Sequence, residues 1–103
     1  MNHSQKLIEV LTELKSAAMS ITNELEYRET VDKYDIMFVG SKFNKINTME
    51  LRHSLSKVFH YEISTEDMIN EMPKVLSSLE MKFEALVLAE DHSKLAGYYV
   101  ELF

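Results

Sequence analysis

Residues 47–79 read NTMELRHSLSKVFHYEISTEDMINEMPKVLSSL and contain two helix start signals. Asn47 is a preferred N-cap residue, and Glu50 three positions later can close a capping box with it. Ser64 is a second preferred N-cap, followed by the acidic Asp67 at the third helical position. Two helices joined by a short turn are therefore predicted in this part of the chain.

Apolar side chains recur at helical spacing after each of these two starts. The first helix is predicted to end near His60, and the second is predicted to run to about Leu79. Pro73 lies inside the second helix, where it removes a backbone donor and crowds the preceding turn. We therefore expect either a kink or a break near Met72. Three methionines fall on the apolar stripes, where core filling is the simplest interpretation: Met49, Met68 and Met72.

The regions on either side of this helix pair have the composition of strands. Residues 83–89 and residues 95–103 follow a period of two, and the polar residues Glu90–Lys94 lie between them. This pattern predicts an antiparallel hairpin. Before the helices, Tyr34–Val39 is rich in β-formers and is followed by Gly40, so it is predicted to be a strand. One face of the last strand is predicted to carry Ala96, Tyr98, Val100 and Leu102.

The segment from residue 4 to residue 28 contains no Gly or Pro and is predicted to form one long helix. Its apolar residues recur at alternating spacings of 4 and 3, which is the heptad rhythm of helices that pair side by side. Such a stripe can pack along its own domain or against a second copy of the chain, and we favour a homodimer. The predicted dimer seam consists of Leu7, Leu11, Leu14, Ala18, Ile21 and Leu25.

The predicted elements follow the order long helix, strand, helix, helix, strand, strand. Over residues 34–103 this order resembles that of a winged helix-turn-helix, in which the first strand pairs with the C-terminal hairpin. The predicted fold class is therefore α+β: a winged-helix-like domain (strand, two helices, C-terminal β-hairpin) preceded by a long N-terminal helix. A chain of 103 residues is long enough for one core, so residues 1–103 are expected to form a single domain.

The charge of the chain is acidic and unevenly distributed. The whole chain has 17 acidic and 11 basic residues, and from Val58 to Phe103 nine acids stand against three lysines. That half would repel a phosphate backbone, which disfavours nucleic acid as a ligand. We expect instead a small interaction or regulatory module that docks a partner protein with a basic surface, and an acidic face could imitate the charge of nucleic acid. The predicted partner-binding residues are Glu66, Asp67, Glu71, Glu90 and Asp91.

An alternative function rests on the middle of the chain, where residues 28–57 have an excess of two positive charges. Arg52, His53 and Lys57 lie on the first helix of the predicted pair, and they could contact phosphates. The chain would then be a dimeric winged-helix DNA-binding transcription regulator.

Several other classes find no support in the sequence. No cysteine is present, and two glycines are too few for the common phosphate-binding loops. His53 and His60 would be about 10 Å apart along a helix, too far to share one zinc ion, so no metal site is predicted. Neither a cofactor nor an enzymatic activity is predicted either. No window is apolar enough to span a membrane, and Glu9 and Glu13 do not suit a secretory signal, so a cytoplasmic protein is expected.

Overall fold

A computed structural model describes residues 2–91 and 93–103, so His92 of the predicted turn lies outside the described residues. The described chain is an α+β domain with four helices and one three-stranded antiparallel sheet, which confirms the predicted fold class at that level. The elements are α1 (His3–Met19), α2 (Glu24–Tyr34), β1 (Lys45–Asn47), α3 (Thr48–Lys57), α4 (Thr65–Ser78), β2 (Lys82–Val87) and β3 (Leu95–Glu101).

The sheet has the strand order β1-β3-β2, so the last strand lies in the centre. Val100 of β3 stands opposite Ile46 of β1 on one side and Phe83 of β2 on the other. The predicted hairpin is confirmed, and its register shifts between Leu86 and Val87. The alternation predicted for the last strand is also found, since three residues of that face are buried and one is half-buried: Tyr98, Val100, Leu102 and Ala96 respectively.

Both predicted helix starts are confirmed by hydrogen bonds of the capping side chains. Asn47 accepts the backbone N–H of Glu50 at 2.8 Å and begins α3. Ser64 accepts the backbone N–H of Asp67 at 3.0 Å and begins α4. These bonds use helix donors that would otherwise lack a partner, and this explains why short-range sequence signals located them correctly.

Helix α4 continues through Pro73, so the helix does not break there. A proline at this position leaves the carbonyl of Ile69, four residues earlier, without its usual N–H donor. The hydroxyl of Tyr98, on the central strand, donates to that carbonyl at 3.4 Å. Tyr98 of the sheet therefore supplies a hydrogen-bond donor in place of the backbone N–H that Pro73 lacks.

The single long helix predicted for residues 4–28 is wrong, because the chain forms two helices there. Helix α1 ends at Met19, and α2 starts anew with Asn23 as its N-cap, which accepts the Glu26 N–H at 2.8 Å. The Thr22 hydroxyl and N–H also donate to the Glu26 carboxylate. Ser, Thr and Asn side chains compete with the helix ladder by bonding locally, and three of them occur between residues 20 and 23.

The strand predicted at residues 34–39 is also wrong, although its alternation is real. Tyr34 ends α2, and Asp35 adopts a left-handed conformation with φ 51°. Ile36 and Phe38 are buried while Met37 is exposed, as in a strand, but only Val39 makes an isolated β-bridge, to Lys45. The ladder with β3 is made by Lys45–Asn47 instead.

The core lies between the helices and one face of the sheet. Helix α1 packs on α4, and α3 and α4 both pack on β3. Four residues of α1 that were predicted to form a dimer seam are buried inside this one chain: Leu7, Leu11, Leu14 and Ala18. Within the described residues, none of the helices has the length and apolar character needed to cross a membrane.

Candidate partner-binding site

Two of the five predicted partner-binding acids contact α1: Glu71, which is half-buried, and Asp67, whose side chain stays 55% exposed. The Ser4 hydroxyl donates to the Glu71 carboxylate at 2.7 Å, and the Lys74 ammonium lies 3.4 Å from the same carboxylate. Asp67 lies 3.5 Å from the ring nitrogen of His3. These contacts tie the first turn of α1 to α4, and the shorter of them engages Glu71 in the packing of the domain.

The other three acids lie at two separate places. Glu66 is exposed on the first turn of α4, and Glu90 is exposed in the hairpin turn. Asp91 organises that turn by accepting the backbone N–H and the hydroxyl of Ser93, at 3.0 and 2.6 Å. The hydrogen bond from the Ser93 hydroxyl, helped by the backbone N–H, lowers the pKa of Asp91. Of the five acids, Glu66, Asp67 and Glu90 are exposed, Glu71 and Asp91 are half-buried, and Glu66 and Glu90 are the exposed ones that make no ion pair or hydrogen bond with another side chain among the described residues.

Between α3, α4 and β3 of the hairpin lies a cavity of about 240 Å³ that the sequence did not predict. Met49 was expected in the core, but its side chain is 55% exposed at the edge of this cavity. We call this surface the helix–hairpin groove, and its lining is mostly apolar. It is lined by Thr48, Met49, Arg52, Thr65, Met68, Ile69 and Ala96.

The position of the groove depends on a close contact between α3 and β3. Thr48 is buried, and its hydroxyl accepts the backbone N–H of Tyr98 at 3.0 Å. A Cβ atom at Gly97 would overlap the Thr48 hydroxyl and would touch the Met49 side chain at 3.8 Å. Glycine at this position therefore allows the start of α3 to lie against the hairpin, and that approach presents Met49 beside Ala96.

The three residues of the DNA-binding alternative are engaged with their own chain. The Arg52 guanidinium donates through Nε to the carbonyl of Ile63 at 2.7 Å. His53 Nε2 and Lys57 Nζ lie 2.8 and 3.4 Å from the same Asp35 carboxylate oxygen. The hydrogen bond with His53, helped by Lys57, lowers the pKa of Asp35. His53 and Lys57 are thus held beside one carboxylate, although both side chains stay more than half exposed.

The six residues of the predicted dimer seam do not share one surface. Besides the four that are buried in the core, Ile21 is half-buried in the turn between α1 and α2. Leu25 lies on α2 and is 67% exposed. A dimer through the buried four would require the core of each chain to open, so this seam is corrected to an intramolecular packing stripe. The homodimer itself stays a prediction.

The described residues contain no group of three or more His, Asp or Glu side chains placed to hold a metal ion. Comparison with protein-family models, with curated proteins and with solved structures finds no match for this chain.

The link between α1 and α4 predicts a dependence of stability on pH. The Ser4 hydroxyl, with help from Lys74, lowers the pKa of Glu71 from its ordinary value of 4.5. A carboxyl with a lowered folded-state pKa contributes stability above its unfolded pKa and loses it as the pH falls through the folded value. We expect Glu71→Gln to flatten the acid side of the stability profile below about pH 4.5.

The measurement is chemical denaturation at a series of pH values, with Glu66→Gln as the matched control. Glu66 lies on the same helix, and its carboxylate makes no hydrogen bond or ion pair within the part of the chain that the structure describes. The free energy of unfolding of the control should fall with decreasing pH as steeply as that of the wild-type chain. Equal acid slopes for Glu71→Gln and the wild-type chain would contradict the assigned role of the Ser4–Glu71 bond.

Proposed function

We propose that this chain is a protein-interaction module of winged-helix-like architecture that docks a partner protein through the helix–hairpin groove. The element order β1-α3-α4-β2-β3 and the sheet order β1-β3-β2 support this architecture. In such a domain α4 takes the place of the recognition helix and the β2–β3 hairpin takes the place of the wing. The groove lies where α3, α4 and β3 meet.

The observation that carries the proposal is the chemistry of this groove. A nucleic-acid reader presents cations there to neutralise phosphates. Here the groove presents the exposed Met49 side chain with Ile69 and Ala96, and the one cation of its lining, Arg52, is bonded to the carbonyl of Ile63. Exposed carboxylates stand on the first turn of α4 and in the hairpin turn. Exposed apolar surface that contains methionine is typical of protein interfaces, where methionine is enriched.

The preferred partner is a protein whose surface combines an apolar side chain with surrounding lysines or arginines. The apolar side chain would enter the groove beside Met49 and Ile69. The cations would approach Glu66 and Glu90, which have opposite charge and would raise the rate of association. This partner can itself be a nucleic-acid-binding protein, because such proteins carry basic surfaces. A cytoplasmic location stays a prediction.

The DNA-binding transcription regulator has less support. Its three candidate residues, Arg52, His53 and Lys57, all bond to other groups of the same chain. Lys74, the one cation of α4, lies against Glu71. Binding of duplex DNA through this half of the molecule would have to overcome an excess of six negative charges between residues 58 and 103, where nine acids stand against three lysines.

The test uses the chain as bait with two matched substitutions. Met49→Asp places a charge in the groove, while Met19→Asp places the same charge at a methionine that is 60% exposed on α1. Both variants should fold, and only Met49→Asp should lose the captured partner. Replacing Glu66 and Glu90 together by lysine should weaken capture and reduce its salt dependence.

Two outcomes would overturn the proposal. One is a partner retained equally by Met49→Asp and by Met19→Asp, since the groove would then not be the binding surface. The other is a gel shift of random-sequence duplex DNA at physiological salt that is lost in an Arg52→Ala, Lys57→Ala double variant. That result would favour the transcription regulator.

A further inference from the structure

The outer edge of β2 is open for pairing with another strand. The sheet order β1-β3-β2 makes β2 an edge strand, and the opposite edge is partly covered where Val39 bridges to Lys45. Among the described residues, the backbone of Lys82–Val87 is hydrogen-bonded to β3 and to no other segment. An edge strand with free N–H and C=O groups is a template for adding a strand.

The side chains of this edge are unusually apolar for a strand in contact with water. Five of the six β2 residues are exposed, including Phe83 at 38% and Val87 at 41%. Phe83 and Ala85 stand opposite the buried residues Val100 and Tyr98, so they lie on the core side of the sheet. Both are nevertheless exposed, because β2 is the edge strand. The Phe83 ring packs edge-on against Tyr98, with the centroids 5.5 Å apart.

The irregularity in the hairpin does not interrupt this edge. Leu86 pairs with Gly97 and Val87 pairs with Leu95, so the extra residue of the bulge is Ala96 on β3. Natural proteins often twist an edge strand away with a bulge, or place a proline or an inward-facing charge on it. Residues 82–87 contain no proline, and their charged residues, Lys82 and Glu84, lie on the outer face of the sheet.

We propose that two copies of this chain pair through β2 in an antiparallel arrangement, with Ala85 opposite Ala85 of the second copy. The twofold axis would stand perpendicular to the sheet, and the two three-stranded sheets would become one six-stranded sheet. A twofold contact of this kind uses the same surface on both copies and closes as a dimer. This inference is independent of the helix–hairpin groove, whose lining contains no residue of β2.

The alternation of side chains restricts the possible registers. Directly opposed residues of the two copies must point to the same face of the joined sheet. Because side chains alternate between the two faces along a strand, the numbers of two opposed residues are both even or both odd, and their sum is even. Two registers of this kind pair five residues of β2. One centres on Glu84 and would set two carboxylates directly opposite each other, which destabilises a strand pair. The other centres on Ala85.

The Ala85-centred register is self-complementary. It places Phe83 of each copy opposite Val87 of the other copy, so the dimer has two such pairs on the core side of the sheet. Aromatic residues paired with β-branched residues stabilise neighbouring strands. On the outer face Glu84 stands opposite Leu86, so no like charges meet. The exposed apolar side chains of each edge would thus cover those of the other copy. This self-complementarity favours a second copy of this chain as the partner of the β2 edge.

A disulfide test distinguishes this register from the alternatives. The chain has no cysteine, so each single variant reports one position. Ala85→Cys should form a disulfide-linked dimer under mild oxidation, because residues directly opposed across antiparallel strands have Cβ atoms about 4.5–5.5 Å apart. Glu84→Cys is the matched control on the neighbouring residue, and it should remain largely uncrosslinked. Crosslinking of Glu84→Cys in preference to Ala85→Cys would overturn the register.

A charge-swap experiment tests the dimer itself. Light scattering of the wild-type chain should give twice the 12.0 kDa mass of one chain. Ala85→Lys and Ala85→Glu should each give the single-chain mass, since like charges would meet at the axis. An equimolar mixture of the two should recover the double mass. A wild-type chain that stays at the single mass at its highest soluble concentration would overturn the proposal, as would variants that dimerise unmixed. Circular dichroism checks that each variant is folded.

Discussion

Leu14→Asp is expected to unfold the chain. Leu14 is fully buried in the core on the side of α1 that packs against α4. The substitution removes a buried leucine, which costs about 2–5 kcal/mol for truncation alone, and it also places a carboxylate in an apolar site. The total stability of a domain of this size is about 5–15 kcal/mol, so the loss is a large part of it. Circular dichroism and urea denaturation would measure the effect.

The matched control is Leu25→Asp, since both leucines belong to the same predicted seam. Leu25 is 67% exposed on α2, and its substitution should change the free energy of unfolding by less than about 0.5 kcal/mol. The pair of variants separates two interpretations of the heptad pattern. If Leu14→Asp stayed folded and only its mass in solution fell, then the seam would be an interface between chains and the packing of α1 on α4 would be wrong.

The heptad spacing could not reveal which surface covers the stripe. The same rhythm of apolar residues suits a second copy of the helix or another helix of the same chain. In this protein the partner is α4, whose own buried stripe contains Met68, Met72, Val75 and Leu76. This choice depends on the tertiary arrangement and leaves no local signal near α1.

Local hydrogen bonds explain which elements were predictable from sequence. The caps at Asn47 and Ser64 and the pairing of the hairpin depend on residues a few positions apart, and all of them are found. Burial alternates on β3, while five of the six residues of the edge strand β2 are exposed. The helix break after Met19 depends on Ser, Thr and Asn side chains that also occur inside helices. Continuation of α4 through Pro73 involves a hydroxyl from the last strand, far away in the sequence.

The candidate site was less predictable, because charge can be counted from sequence but its distribution over faces cannot. The acidic balance of the second half of the chain is a fact of composition. Whether Asp67 and Glu71 meet solvent or α1 depends on how α1 packs. The exposure of Met49 follows similarly from the close approach of Gly97 to Thr48, which involves residues about 50 positions apart.

Phe38→Ala is expected to lower the free energy of unfolding by about 3–5 kcal/mol, although Phe38 belongs to no regular element. Its ring is fully buried, so truncation leaves a cavity that the surrounding residues fill only in part. The backbone carbonyl of Phe38, which accepts the Tyr27 hydroxyl at 3.0 Å, is present in both forms, so the effect reports packing of the ring. Denaturation monitored by circular dichroism would measure the difference.

The neighbouring Met37→Ala serves as the control for the same segment. Met37 is 52% exposed, and its truncation should cost less than about 0.5 kcal/mol. A large difference between the two variants would mean that the buried side chains of residues 36–39 hold this segment on the core, although the segment has no ladder of strand hydrogen bonds. Similar small losses from both would mean that the segment lies on the surface, and the core next to β1 would then have to be formed by other residues.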